Sequence, residues 1–337
     1  MRQISYSQRF EDLYLLRALG ESDRGFYIDI GAGHPVFDNV SFVFYLKSWS
    51  GIAVEPNPRL AQLAQAIRPR DHTVNALVGA TSGEATFYLV DDFHGFSTTS
   101  ASNAAAAQAQ FGKSSEAMTR PVTTLKALCE AHAPAAIDFL KVDVEGAEAE
   151  VLAGGDWQLF RPKVVVVEAL APFTQEPAWD AYEPLLARHG YGFALFDSLN
   201  RYYVPEEESE IARLLKDAPA SFDEAVRFRD FKKALDDPSH PDHRLAVILA
   251  CPDMAGLPLL PPEALLTLLT ASLSPHALAQ PATDAAVAAT QARLFGNETA
   301  QVLRLDRTAT VRDVYAALIA TDLFRAACGR ISASDAW

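Results

Sequence analysis

Short apolar runs alternate with helical patterns through the first two hundred residues, and this alternation leaves few architectures open to the chain. Each run has strand length, and its apolar and β-branched residues are typical of strands buried on both faces. The runs are residues 25–30, 51–56, 72–78, 137–144 and 163–170. An amphipathic stretch that begins with a proline, residues 58–68, lies between the second and third runs. Such alternation predicts an α/β fold with a parallel, doubly wound sheet.

The chain changes character near residue 210. Just before it, two short strand patterns within residues 191–205 predict a closing antiparallel hairpin. Beyond it the sequence is rich in Ala and Leu, with proline interruptions and no strand pattern. We therefore expect two domains, residues 1–210 and a helical C-terminal extension at residues 211–337. Residues 98–120 are expected to form a long loop before the fourth strand of the sheet.

Charge and composition exclude several classes of function. The 43 acidic and 29 basic residues give a net charge of −14, which repels nucleic acid and anionic membrane surfaces. The widely spaced cysteines Cys129, Cys251 and Cys328 contain no C-x-x-C pair and indicate neither a disulfide framework nor a zinc site. The N-terminus lacks an apolar signal region, and no apolar stretch has the length of a membrane span. We expect a cytoplasmic protein with no nucleic-acid partner and no membrane insertion.

The first strand pattern ends in a glycine turn that is typical of nucleotide-binding sheets. The turn holds Asp29, Gly31 and Gly33, and Glu55 ends the next strand at the spacing of an acid that binds ribose hydroxyls. This much fits NAD and S-adenosylmethionine equally. Val36 occupies the third glycine position of the dinucleotide fingerprint, which disfavours a pyrophosphate. Asp29 would repel a phosphate but suits a cofactor with ammonium and sulfonium charges, so the turn favours S-adenosylmethionine.

Carboxylates also end the fourth and fifth strand patterns. Asp143 and Glu145 follow one, and Glu168 ends the other. Because ligands bind at the carboxyl ends of parallel strands, these acids are candidate general bases. His34, directly after the glycine turn, is a further candidate base.

Eight stretches of residues 1–210 follow one another in the order of a known family. They are "YSQRFEDLYLLRAL" (6–19), "GFYIDIGAGHP" (25–35), "GIAVEPNP" (51–58), "NALVGATSGEATFY" (75–88), "PVTTLKAL" (121–128), "IDFLKVDVEGAEAEVL" (137–152), "VVVVEA" (164–169) and "LNRYYV" (199–204). Through these stretches the chain resembles the FkbM family of S-adenosylmethionine-dependent methyltransferases. The helical extension has no such resemblance.

The resemblance implies a Class I methyltransferase (Rossmann-like) fold, whose seven-stranded, mostly parallel sheet has one antiparallel strand. It implies methyl transfer to a hydroxyl oxygen of a sugar, in a cell-surface glycan or its precursor. Methylation of a secondary-metabolite (polyketide-like) hydroxyl stays open. So do an NAD-dependent oxidoreductase and a cofactor-binding module without turnover. A homo-oligomer formed through the helical extension is a further expectation.

Position at the strand ends, together with the resemblance, assigns roles to individual residues. The cofactor site would comprise Asp29, Gly31, Gly33, Glu55, Asn75 and Ala76. The catalytic candidates are Asp143, Glu145, Glu168 and His34. Substrate would contact Ser97 and Thr98, in a serine-containing loop at residues 93–100, and Asn200 and Arg201 on the hairpin. Asp143 and Glu168 occupy strand ends that carry magnesium ligands in metal-dependent methyltransferases, so Mg²⁺ is a candidate second cofactor. Glu148 and Glu150 are expected on a solvated helix face.

Overall fold

The computed structural model describes most of the chain and divides it into two compact units. The described residues are 3–20, 22–90, 97–112, 114–172, 174, 176–216, 222, 224–296 and 302–336. The first unit is Met1–Gln65 with Arg70–Arg227, and the second is Ala66–Pro69 with Phe228–Trp337. The predicted domain boundary near residue 210 stays a prediction.

The first unit alternates strands and helices, as the sequence pattern indicates. Its strands are β1 (Ile4–Ser5), β2 (Phe26–Ile30), β3 (Ser50–Val54), β4 (His72–Val74), β5 (Leu77–Val78), β6 (Gly83–Val90), β7 (Ser115–Thr123), β8 (Phe139–Val142), β9 (Val164–Glu168), β10 (Tyr191–Phe196), β11 (Asn200–Pro205) and β12 (Val226–Arg227). Its helices are α1 (Glu11–Leu19), α2 (Phe42–Leu46), α3 (Pro58–Ile67), α4 (Ala101–Phe111), α5 (Leu125–His132), α6 (Glu148–Ala153), α7 (Glu183–Arg188) and α8 (Ser209–Lys216).

Seven strands form the main sheet, in the order β10-β11-β9-β8-β2-β3-β4. The neighbours from β9 to β4 pair in parallel, whereas β11 runs antiparallel to both β9 and β10. The predicted α/β class is thereby confirmed, with a sheet that is mixed. The strand order reverses between β2 and β8, and in open parallel sheets a ligand cleft opens at such a point.

Apolar side chains cover both faces of this sheet. On one face Ile28, Leu140 and Val165 belong to a core cluster that includes residues of α5, α6 and α7. On the other face Tyr27 and Phe139 pack with residues of α1, α2 and α8. Successive strand residues alternate between the two clusters, because side chains of a strand point to opposite faces in turn. The central strands are therefore buried on both sides.

Two sequence-based predictions about the connections are wrong. Residues 72–78 do not form one strand, because β4 belongs to the main sheet and β5 to a second sheet of order β5-β7-β6. Between them the Asn75 side chain donates to the Glu55 carbonyl, and from Leu77 the chain pairs with β7 instead. Residues 98–120 are not a plain loop but contain α4 and most of β7. The alanine run is a strong helix former, and Ser100 caps it by accepting the Asn103 N–H.

The second unit is helical in the part of it that the structure describes. It contains α9 (His243–Ile248), α10 (Pro262–Thr270), α11 (Pro275–Leu278), α12 (Asp284–Phe295), α13 (Val311–Ile319) and α14 (Asp322–Ala336). Leu245, Leu269, Leu318 and Phe324 belong to its own apolar core. Within the described residues, no helix of either unit is long and apolar enough to cross a membrane.

Candidate active site

Polar side chains gather on one face of the main sheet, at the carboxyl ends of its parallel strands. Asp29 of β2 pairs in register with Lys141 of β8, and Glu168 of β9 pairs with Asn200 of β11. Asp143 lies two residues after Lys141, so its side chain points to the same face of the sheet. The sheet thus brings together acids that lie more than a hundred residues apart in the chain.

The glycine turn after β2 directs its N–H groups at protein acceptors. Gly31 and Ala32 both donate to the Val54 carbonyl at 3.0 Å, and Gly33 donates to Glu55 Oε2 at 2.8 Å. The next helix, α2, begins only at Phe42. Because a bound pyrophosphate needs loop N–H groups or a helix N-terminus, this turn is not built like a dinucleotide site.

Replacing Gly31 by alanine is expected to destabilise the protein by about 2–5 kcal/mol. Gly31 has a φ of +75°, and an added Cβ would lie 1.7 Å from the Asp143 carbonyl oxygen. Gly83→Ala is the matched control, because no atom lies within 4 Å of a Cβ at that position. Urea unfolding measures both free energies of unfolding. Equal stability of the two variants would contradict the packing argument.

Asp29 is buried at the base of the turn and accepts a hydrogen bond from Ser41 Oγ at 2.6 Å. The same hydroxyl lies 3.1 Å from Asn39 Oδ1, and Asn39 Nδ2 donates to the Ala32 carbonyl at 2.9 Å. The sequence reasoning missed Asn39 and Ser41. Their spacing of two residues was the available signal, since both side chains support the same turn.

Glu55 is 6% exposed and holds two backbone N–H groups. Its Oε2 accepts from Gly33 and its Oε1 from Asn57 at 2.7 Å. Burial nevertheless raises the pKa of Glu55 to about 7, against the lowering effect of these bonds. Asn75, predicted near the cofactor, binds the Glu55 carbonyl and is itself bound by Arg120. Ala76 follows it and is buried.

Asp143, Glu145 and Glu168 form an acidic cluster, in which one oxygen of each lies within 4.8 Å of the others. Lys141, which is 4% exposed, donates from Nζ to Asp143 Oδ2 at 2.8 Å. Burial alone would lower the pKa of Lys141, but the charge and hydrogen bond of Asp143 raise it above its usual range. The lysine therefore stays charged and cannot serve as a base.

Glu168 is strongly perturbed as an acid by its place in the cluster. Its Oε2 is a buried acceptor without a hydrogen-bond partner among the described residues. Burial, followed by the charges of Asp143 and Glu145, raises the pKa of Glu168 to about 11. Burial and Asp143 raise the pKa of Glu145 as well. Positive charge entering the cluster would favour the ionised carboxylates, so the site is electrostatically suited to a cationic ligand.

The turn after β8 holds Glu145 in an unusual conformation. Its φ is +57°, and its carbonyl accepts from Thr98 Oγ1 at 3.1 Å and from Asn103 Nδ2 at 3.3 Å. Left-handed backbone at a residue other than glycine is costly and concentrates at functional sites. Glu148 supports the turn from α6, because its Oε1 accepts the N–H groups of Val144 and Gly146.

Two residues on α6 differ in environment, although both were expected to be solvated. Glu150 is exposed, as predicted, but the prediction for Glu148 is wrong because Glu148 is buried. The spacing of Glu148 from Gly146 was the available signal, since a carboxylate just after a glycine turn can accept the N–H groups of that turn. Sequence reasoning also missed Asn103, which lies in the stretch taken for a loop.

His34 and Asn200 are both buried and already hydrogen bonded. His34 Nδ1 lies 3.2 Å from the Val36 N–H and 3.0 Å from that of Phe37, which makes it an acceptor within its own loop. Asn200 Nδ2 donates to Glu11 Oε1 at 3.0 Å, whereas its buried Oδ1 has no partner among the described residues. Burial and the charge of Asp197 raise the pKa of Glu11 to about 7.

The other residues predicted to contact substrate occupy different surroundings. Arg201 points to the opposite face from Asn200 and pairs with Glu183 at 3.2 Å. Ser97 Oγ accepts the Val90 N–H at 3.1 Å, and Thr98 reaches the turn at Glu145. Residues 91–96 of the serine-containing loop lie outside the described residues. Glu11, which the sequence reasoning did not select, joins the site through Asn200, and only the long-range contact reveals it.

Comparison with known proteins agrees with this geometry. Residues 29–193 match the sequence model of the family described as "Methyltransferase FkbM domain", which covers just under half of the chain. The resemblance to the FkbM family is confirmed for that range, and it supports methyl transfer as the general activity. The matched range contains the glycine turn, Glu55 and the acidic cluster. No curated protein matches the chain at a significant level.

Proposed function

We propose that the FkbM methyltransferase domain at residues 29–193 uses S-adenosylmethionine to methylate a hydroxyl oxygen of a sugar, in a glycan or its precursor. One observation carries the proposal: the glycine turn with Glu55 and the acidic cluster lie at the carboxyl ends of adjacent parallel strands. The strand order, with β11 alone reversed, supports the Class I methyltransferase fold that the FkbM resemblance implies.

Two features of the turn favour S-adenosylmethionine over NAD, and Glu55 suits the ribose of either cofactor. The N–H groups of Gly31, Ala32 and Gly33 are already used inside the protein, which leaves no cradle for a pyrophosphate. Asp29 at its base attracts the ammonium and sulfonium charges of S-adenosylmethionine. Glu55 Oε1 and Oε2 each accept one N–H and keep a lone pair, with which they could accept the two ribose hydroxyls.

On the acceptor side we assign the chemistry to the acidic cluster. When bound, S-adenosylmethionine supplies an electrophilic methyl group and a positive charge. That charge favours ionisation of Glu168, whose unpartnered Oε2 then accepts the proton of the acceptor hydroxyl. Lys141 fixes Asp143 beside it, and Glu145 adds a further acceptor for the substrate. His34 is the less suitable base, because its Nδ1 already accepts two backbone N–H groups.

Calorimetric titration tests the cofactor. We expect S-adenosylmethionine and S-adenosylhomocysteine to bind the native protein with dissociation constants of about 1–100 μM, and NADH not to bind. Methyl transfer is then screened with radiolabelled cofactor on sugar glycosides and on polyketide-like alcohols. Methylation of the alcohols alone would assign the secondary-metabolite activity instead. Binding of NADH alone would reject the methyltransferase proposal.

A magnesium ion fits the same cluster. Carboxylate oxygens suit Mg²⁺, and Asp143, Glu145 and Glu168 could each offer one within the 4.8 Å that separates them. When bound, such an ion supplies a Lewis acid that polarises the acceptor hydroxyl. The predicted ligands Asp143 and Glu168 thus gain a third candidate in Glu145.

We expect calorimetry to detect Mg²⁺ binding that Glu145→Gln weakens roughly 10-fold or more, because one anionic ligand is lost. Glu150→Gln is the matched control, since Glu150 is an exposed carboxylate on α6 close in sequence to the cluster. Loss of methyl transfer in EDTA, restored by added Mg²⁺, would show that the reaction requires the ion. Absence of Mg²⁺ binding by the native protein would exclude the metal and leave the methyltransferase proposal intact.

A further inference from the structure

A small cavity opens in the helical second unit, bordered by the turn before α10 and by α10, α13 and α14. Its volume is about 80 Å³. Of the described residues that line it, Arg325 alone carries a charge. The wall is otherwise largely apolar and includes Pro258, Leu260, Leu265, Ile319 and Phe324. The cavity thus places one cation against apolar side chains.

The guanidinium of Arg325 lacks a counter-charge. Its Nη1 donates at 3.2 Å to the carbonyl of Ala66, which belongs to the same unit. Its Nε is buried and has no hydrogen-bond partner among the described residues, and none of their carboxylates pairs with the group. Burial removes water from a charged donor, and this cost is compensated only when an acceptor takes the place of the water. The Nε edge of Arg325 is therefore available to an anionic ligand.

Two other arginines of the chain show what such an edge binds. Arg161 donates from Nε and Nη2 to the two carboxylate oxygens of Glu207, at 2.5 and 3.0 Å. Arg330 does the same with Asp242, at 2.7 and 2.6 Å. In Arg325 the bond to the backbone carbonyl uses Nη1, so the edge formed by Nε and Nη2 has no partner among the described residues. This planar edge matches a carboxylate, which it can bind through two parallel hydrogen bonds.

The size and the lining of the cavity restrict the rest of the ligand. One water-sized group needs roughly 10–15 Å³ of such space, so the cavity admits a carboxylate with about three to six carbons. The apolar wall disfavours a hydrated ion such as phosphate, whereas each methylene that it removes from water contributes favourably.

We propose that this cavity binds a short-chain alkyl carboxylate. Arg325 holds the carboxylate through Nε and Nη2, and the alkyl chain packs against Leu265, Ile319 and Phe324. The site lies in the unit that has no part in the proposed methyl transfer, so the inference goes beyond that function and does not depend on it.

Saturation-transfer NMR titrations of the full chain test the inference. The probes are hexanoate, 1-hexanol, which has the chain without the charge, and acetate, which has the charge with almost no chain. We expect hexanoate to bind with a dissociation constant below about 1 mM, and at least roughly 10-fold more tightly than either of the other two. Absence of transfer to hexanoate would overturn the inference, as would equal affinity for hexanoate and either comparison probe.

Arg325→Gln is expected to lose the roughly 10-fold preference for hexanoate over 1-hexanol, because the charge and the two-point contact are removed. Arg312→Gln is the matched control, since Arg312 is an exposed arginine on α13 that does not line the cavity. Thermal unfolding shows whether Arg325→Gln is folded, and the three probes decide with the native protein alone if it is not. An unchanged preference in a folded Arg325→Gln would reject the site. S-adenosylmethionine binding is measured separately, so failure of either proposal leaves the other standing.

Discussion

Replacing Glu55 by alanine is expected to weaken S-adenosylmethionine binding at least roughly 100-fold, because each hydrogen bond to a charged acceptor contributes about 1.5–3 kcal/mol. Glu55 is the buried acid placed to accept both ribose hydroxyls, and it also anchors the N–H of Gly33 in the glycine turn. The substitution removes the ribose contact and loosens the turn together. Calorimetric titration of the cofactor measures the loss.

Glu84→Ala is the matched control for this variant, because Glu84 is an exposed glutamate on β6. It should bind the cofactor like the native protein. Thermal unfolding of Glu55→Ala shows whether the fold survives. If a folded Glu55→Ala variant binds the cofactor within about 3-fold of native affinity, Glu55 does not contact the ribose. The proposed role of Glu55 in the cofactor site would then be rejected.

The same carboxylate predicts how cofactor affinity depends on pH. The pKa of Glu55 is raised to about 7, mainly by burial, so the acid is protonated below pH 7 and gives up an acceptor position. Binding should therefore strengthen as the pH rises from 5.5 to 8, by at most about 10-fold per pH unit below 7. In Glu55→Gln the dependence on this group should vanish.

The contribution of Glu55 to the stability of the ligand-free protein should fall as the pH rises, whereas cofactor affinity increases. An acid whose pKa is raised by folding stabilises the folded state most below its unfolded pKa of 4.5, and that contribution is lost as the pH rises to about 7. Cofactor binding recovers part of this cost, because the charged ligand favours the ionised form. Thermal unfolding with and without cofactor separates the two trends.

Much of the site was predictable because local sequence encodes where a strand ends. Asp29, Glu55, Asp143 and Glu168 each follow or end a buried apolar run, and parallel pairing alone carries them to one edge of the sheet. The α/β class follows from the same alternation. These features depend on short-range patterns, which a single sequence contains in full.

Long-range contacts explain what the sequence could not reveal. Glu11 joins the site only because α1 packs against the sheet and meets Asn200, which lies 189 positions away in the chain. Arg201 was a candidate substrate contact beside Asn200, but strand alternation places the two side chains on opposite faces, and aromatic rings flank Arg201. The register of β11 against β9 decides which of two neighbouring hairpin residues faces the cleft. That register cannot be derived from the hairpin sequence alone.

Replacing Glu168 by glutamine is expected to lower kcat for methyl transfer about 10²–10⁴-fold, the usual contribution of a general base. Glutamine keeps the size of the side chain but cannot accept a proton. Cofactor affinity should stay within about 3-fold of native, because the ribose contact and the glycine turn are untouched. The loss would then lie in kcat rather than in binding, and it would persist at saturating cofactor.

Glu150→Gln again serves as the control, since it makes the same chemical change on the exposed face of α6. The pH profile adds a second test of the role of Glu168. The pKa of Glu168 is raised to about 11 in the ligand-free site, and the positive charge of bound cofactor should lower it. The rate of the native enzyme should therefore rise with pH as this group ionises, and that limb should be absent in Glu168→Gln. A variant that keeps both the native rate and the native pH profile would transfer the role of base to Asp143 or Glu145, whose carboxylates share the same cluster.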